Sequence, residues 1–151
     1  MFSLFKKKEF FSAEEKERII TAIRSCEKET SGEIILFVEG RNPMVDPLDR
    51  AKQVFFKQNM QRTQYRNAVL LYIAVKDKEL ALYGDEGIHE KTFENYWAVA
   101  VKEMLEHFQE ENIVDGIVHC ISTVGKTLRD KFPYDKSTDK NELPDDIVFG
   151  R

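Results

Sequence analysis

The stretch LALYGDEGIHEK, Leu80 to Lys91, holds the residues best suited to chemistry in this chain. A strand-like apolar run stops at Gly84, the adjacent acids Asp85 and Glu86 follow, and Gly87 and the lone His89 come next. Two neighbouring carboxylates suit a hard cation. Calcium wants about six to eight oxygens, so Asp85 and Glu86 would need help from an acid such as Glu33 or Glu90. The plain alternative is a glycine-bounded turn whose acids are solvated. Asp46, Asp49 and Asp77 make a second acidic group, but Asp46 is placed to cap a helix and Asp49 to complement its dipole.

Phosphoryl hydrolysis needs a nucleophile or activated water, and cations that stabilise charge on the transferring group. No Walker loop, Cys-x5-Arg or HExxH pattern occurs, and His89, His107 and His119 are spread over a loop and two helical segments. His119 lies near an apolar stripe and is expected as a satisfied, buried or half-buried imidazole. No catalytic residue is assigned. Cys26 and Cys120 lack CxxC spacing and fall on apolar helical stripes, so they are read as small core residues.

These side chains must be positioned by 151 residues, 42% hydrophobic, which is the size and apolar content of one domain with a real core. With 23 Lys and Arg against 27 Asp and Glu, the net charge of −4 argues against nucleic acid, whose affinity rests on clustered cations. The opening MFSLFKKKEFF lacks the order of a signal peptide, and no run approaches the ~20 apolar residues of a membrane span. A cytoplasmic location is expected. Phe2, Leu4, Phe5 and Lys6 to Lys8 offer a peripheral membrane contact, against the preferred reading of a frayed terminus.

Ser12 with Glu15 forms a capping box, and Ile19, Ile20, Ile23 and Cys26 line one face of the helix that follows, which ends near Thr30 before Gly32. EIILFV, Glu33 to Val38, reads as a strand covered on both faces. Asp46 caps a second helix with Pro47 at its first position and Leu48, Ala51, Val54 and Phe55 inside. AVLLYIAV, Ala68 to Val75, is a second strand that turns at Lys76 to Lys78 into a third, Glu79 to Tyr83. Two more helical stripes follow: Phe93, Trp97, Val101, Met104 and Phe108, then Ile113, Ile117, Ile121, Val124 and Leu128. After Phe132 the chain is polar and turn-rich until Ile147 to Phe149, which could pair with the sheet edge or with a partner.

A right-handed crossover makes strands one and two parallel, and the hairpin sends strand three back. The end of strand three therefore lies beside the starts of the other two. Gly84, Asp85, Glu86 and Gly87 are expected next to Arg66 and Asn67, and close to Ser31, Gly32 and Glu33. Arg66 is expected to face Asp85 and Glu86 as an exposed pair of little consequence for stability.

Five segments, TSGEIILFVE, RNAVLLYIA, YGDEGI, WAVAVKEMLEHF and IVDGIVHCI, resemble in order and spacing the TPM domain. That domain is found in a thylakoid-lumen phosphatase, a photosystem II repair factor and an animal receptor modulator. The resemblance runs from about Ser12 to Pro133, and the NELPDDIVFG tail is similar to the short bacterial, cytoplasmic branch. It implies an α/β three-layer sandwich, in which a small mixed sheet (a parallel strand pair plus an antiparallel hairpin strand) carries helices on both faces. It also implies the reported activity of plant members, calcium-binding acid phosphatases with acids near the strand ends. Family members usually enter the second strand through Asp-Asn-Gly, where this chain has Arg66, Asn67 and Ala68. A guanidinium there repels a cation and favours an anion.

The expected organisation is a flexible segment 1–11, a TPM-like domain 12–133 and a polar tail 134–151 that folding does not need. The expected function is a non-catalytic interaction or accessory domain for a membrane-associated or protein-maintenance complex. Its binding surface would be Arg66, Asn67, Gly84, Asp85, Glu86 and Gly87, with a protein as partner. The alternative is a weak calcium-dependent acid phosphatase acting on phosphate esters, with Asp85 and Glu86 as metal ligands; otherwise no cofactor is expected.

Overall fold

Ser12 begins the first helix as its spacing predicts. Its Oγ accepts from the Glu15 amide at 3.1 Å and its own amide donates to Glu15 Oε1 at 2.8 Å. In the computed structural model, which describes residues 10–89, 96–109, 113–134 and 147–150, this helix is α1, Ala13–Glu27. Then follow β1 (Glu33–Glu39), α2 (Pro47–Lys57), β2 (Ala68–Ala74), β3 (Glu79–Gly84), α3 (Glu86–His89), α4 (Tyr96–Gln109), α5 (Ile113–Lys131) and β4 (Val148–Phe149). A short 3-10 turn at Met60–Arg62, not foreseen in the sequence, buries Met60 under the sheet.

The sheet order is β3-β2-β1-β4. β1 and β2 are parallel with Glu33 opposite Ala68, and β2 and β3 are antiparallel with Val69 opposite Gly84. Every residue of β1 and β2 is buried, because the two faces carry separate cores. Ile34, Leu36 and Val38 pack with Ile19 and Ile23 of α1 and with Ile117, Ile121 and Val124 of α5. Ile35 and Phe37 face the other way, toward the side where α2 supplies Ala51, Val54 and Phe55. The result is the expected three-layer α/β sandwich, with α1, α4 and α5 on one face and α2 on the other. Removing a side chain such as Ile23, which is fully buried, costs about 2–5 kcal/mol.

Both ends of the chain extend this frame. Phe11, inside the segment expected to be flexible, is buried in the larger core; residues 1–9, with the proposed membrane-contacting cluster, lie outside the described residues. Near the other end, β4 takes the sheet-edge option: Val148 and Phe149 pair parallel with Phe37 and Val38. Ile147 enters the larger core, and Phe149 sits 6.4 Å from Phe11, ring to ring. The helical stripes therefore do not complete the core alone, and the packing of Ile147 argues against the expectation that folding does not need the tail. Among the described residues, no helix is long and apolar enough to cross a membrane.

Candidate functional site at the end of the hairpin

Arg66 stands in the left-handed region, φ 51°, immediately before β2. Its carbonyl accepts the Gly87 amide at 2.9 Å, and the Asp85 amide donates to Ala68 O at 3.0 Å. The chain leaving β3 is thus laced to the chain entering β2. Gly87 is required for this approach: a Cβ there would lie 2.3 Å from Tyr65 O and 2.6 Å from Arg66 O.

The lacing sets a two-point ion pair. Arg66 Nε donates to Asp85 Oδ2 at 2.7 Å and Nη2 to Oδ1 at 2.8 Å, while Nη1 reaches Glu86 Oε1 at 3.1 Å. Asp85 Oδ1 also accepts the Glu86 amide at 2.8 Å, so both oxygens of the carboxylate are engaged. The hydrogen bonds that Arg66 donates to Asp85 hold its guanidinium more firmly charged than usual. Tyr83 is pushed up by burial first and by the Asp85 charge second.

The sequence brought the right residues together and misjudged their exposure. Asp85 is 2% exposed in its side chain, Arg66 35% and Glu86 66%. The expected exposed pair is corrected for Asp85 alone, since Glu86 stands exposed and its pair with Arg66 lies at the surface. α3 starts at Glu86, the Ile88 amide closes on Asp85 O at 2.9 Å, and the buried Ile88 side chain lies over Gly84 in the larger core. Gly84 and Asn67 are also buried. Asn67 donates from Nδ2 to Ser31 Oγ at 3.3 Å, and its carbonyl accepts the Glu33 amide at 3.3 Å. Its buried Oδ1 meets no hydrogen-bond partner among the described residues. The outward face of this end consists of Arg66, Glu86 and Tyr65, which is 42% exposed and was missed in the sequence because an aromatic before a strand looks like core.

Of the helpers considered for a cation, Glu33 is buried at the start of β1, and Glu90 lies outside the described residues. Among the described residues, no three of His, Cys, Asp and Glu gather closely enough to hold a metal ion. The second acidic group has structural roles, as expected for Asp46, which caps α2 by accepting the Leu48 amide at 2.8 Å. Asp77 accepts from Arg41 Nη1 at 2.8 Å and the Asn42 amide at 2.7 Å. His119 is corrected: its side chain is 54% exposed and lies 3.1 Å from Glu103, because it sits beside the apolar stripe of α5, not on it. Cys120 is buried and Cys26 half-buried, both as free thiols.

A cluster at the opposite end of β1 was also missed. Glu39, 3% exposed, accepts from Arg50 Nε at 2.8 Å, Arg50 Nη2 at 2.9 Å and Tyr72 OH at 2.6 Å. Its only signal in the sequence was an acid directly after the apolar run Ile34 to Val38.

The model of the TPM domain matches residues 4–127. The NMR structure of BA42 protein from the psychrophilic bacterium Bizionia argentinensis is 39% identical, with a TM-score of 0.87 over 96% of this chain and 99% of that one. The N-terminal domain of the cg2496 protein from Corynebacterium glutamicum is 13% identical, with a TM-score of 0.63 over 79% of this chain and 74% of that one, a likeness of fold alone. No curated protein matches the chain. The extent of the match to the family model, together with the BA42 likeness over nearly the whole chain, makes this chain a member of the TPM domain family.

Proposed function

We propose that this TPM domain is a non-catalytic interaction or accessory module, assisting a membrane-associated or protein-maintenance complex, and that it meets a protein partner through the end of its hairpin. The reading rests on one observation: the acid most suited to chemistry, Asp85, is buried and held at both oxygens by Arg66. A carboxylate in that state is a poor nucleophile and a poor ligand, because either role begins by breaking a buried, charge-assisted pair. Calcium at Asp85 and Glu86 would have to displace Arg66 first, and these two acids do not fit it as they stand. What faces outward is a tyrosine and an arginine, residue types that anchor recognition surfaces, with the exposed Glu86 beside them.

Two measurements test this. Hydrolysis of p-nitrophenyl phosphate with added calcium is expected at the buffer rate. Turnover that is abolished by Asp85→Asn in a folded variant would support the alternative, a weak calcium-dependent acid phosphatase. A photo-crosslinking residue at Glu86 is expected to trap a discrete protein partner in the native cell, whereas the same residue at Lys126 on α5 is not. Equal trapping at both positions would remove the hairpin end as the contact.

A further inference from the structure

α2 packs over β2 and β3, and a crevice of about 480 Å³ remains beside it, along the junction of β1 and β4. Phe37, Val54 and Val148 give it an apolar lining, and Arg50, Lys57 and Gln58 stand along the helix side. The place is one that open α/β sheets favour for ligands. β2 is reached from β1 through α2 on one face, whereas β4 follows α5 on the other, so the two neighbours of β1 are approached from opposite sides. Crevices at the carboxyl ends of strands where the order reverses in this way are the usual ligand positions. The volume falls in the range of small-molecule pockets, roughly 300–1,000 Å³.

The electrostatics select the kind of ligand. Glu39 at the upper end is balanced by Arg50 and Tyr72. Arg50 is further fixed by Gln53 and lies over the Phe37 ring, 6.0 Å from its centroid. Lys57 makes no ion pair among the described residues, which leaves one cation in surplus on the lining. The end of α2 sets a partial negative charge against an anion here, but the carbonyls of Val54 and Phe56 already accept the amides of Gln58 and Asn59. The opposite wall is rigid: a Cβ on Gly150 would lie 2.6 Å from Phe37 Cζ, so the backbone of the β4 end rests flat on that ring.

We infer that this crevice binds a small organic carboxylate with an aromatic or branched aliphatic body, the body against Val148 and the exposed edges of Phe37 and Val54, and the carboxylate at Lys57. The site lies at the other end of β1 from the Arg66 and Asp85 pair, and the inference does not depend on the function proposed for that pair.

The test is an amide NMR titration of the full chain with 3-phenylpropionate, with phenethylamine and acetate as controls for charge and body. Saturable shifts at Phe37, Lys57, Val148 and Gly150 are expected with 3-phenylpropionate, and acetate is expected to give none. Phenethylamine is expected to bind about fivefold to tenfold more weakly, the effect of one surplus charge at a partly exposed site. Lys57→Glu, which changes an exposed residue and should keep the melting curve, is expected to reverse the preference. Equal binding of acid and amine, indifference to Lys57→Glu, or no saturable shift at all would overturn the inference. So would shifts of the same amides with protein concentration alone, which would assign the crevice to a second copy of the chain.

Discussion

Arg66 holds both oxygens of Asp85, at 2.7 and 2.8 Å, from a backbone position with φ 51° that arginine seldom adopts. The strain is tolerated because the Arg66 carbonyl is fixed by Gly87 and its side chain closes a buried carboxylate. Arg66→Ala is therefore expected to lower the urea midpoint clearly, by leaving the Asp85 charge uncompensated. Arg66→Lys is expected to recover little, because an ammonium cannot reproduce the two-point fork. Adding Asp85→Asn to Arg66→Ala is expected to restore part of the loss. A double-mutant cycle with no coupling would mean that the pair is structurally idle.

Gly87→Ala probes the same joint from the backbone. The new methyl group would meet Tyr65 O at 2.3 Å and Arg66 O at 2.6 Å, and backbone atoms have little room to yield. A destabilisation of about 1–3 kcal/mol is expected from the forced rearrangement, measured by urea unfolding. Unchanged stability would show that α3 is free to shift away from β2.

Much of this was legible in the sequence. The capping box at Ser12, the proline after Asp46 and the doubly apolar strands each have a local physical cause, and those elements stand where expected. The meeting of Arg66 with Asp85 followed from topology alone, because an antiparallel hairpin sets the end of β3 beside the start of β2. Burial of Asp85 did not follow. Its carboxylate is held by Arg66 and by the Glu86 amide where the chain turns into α3, an arrangement that a glycine-bounded acidic pair does not announce. The pairing partner of Ile147 to Phe149 was equally hidden, since a three-residue apolar run fits a sheet edge and a partner alike. Glu39 escaped notice because its partners Arg50 and Tyr72 come from two other elements.

The end of the chain gives a separate prediction. Ile147 is 6% exposed in the core that contains Phe11 and Phe132, and Ile147→Ala is expected to cost about 2–5 kcal/mol. Deleting residues 147–151 is expected to cost at least as much, because it also uncovers the outer edge of β1. A truncated chain that melts at the temperature of the full one would restore the view of the tail as dispensable.

The thiols set a pH dependence. Burial pushes Cys26 up to about 11 and Cys120 up to about 12, from an ordinary value of 9.0. Because the folded state keeps these protons longer than the unfolded chain, their contribution is fully present below about 9 and is lost as pH rises toward 12. Tyr72, raised by burial, acts in the same direction. The melting temperature is expected to fall with pH above about 9, and Cys120 is expected to react with a thiol reagent at neutral pH only after denaturation. Fast labelling of Cys120 in the native protein would contradict its burial.

The claim that Arg66 has closed the acidic end of the hairpin is tested most directly by an amide NMR titration with calcium, followed at Gly84 to Gly87 and at the Arg66 side chain. No saturable shift is expected in the wild-type chain up to about 10 mM calcium, beyond the weakest physiological sites at ~10⁻³ M. Arg66→Asp, which removes the guanidinium and adds a carboxylate, is expected to create calcium-dependent shifts at the same amides. Saturable calcium binding by the wild type at Asp85 and Glu86 would contradict the account and return these acids to a metal-dependent role.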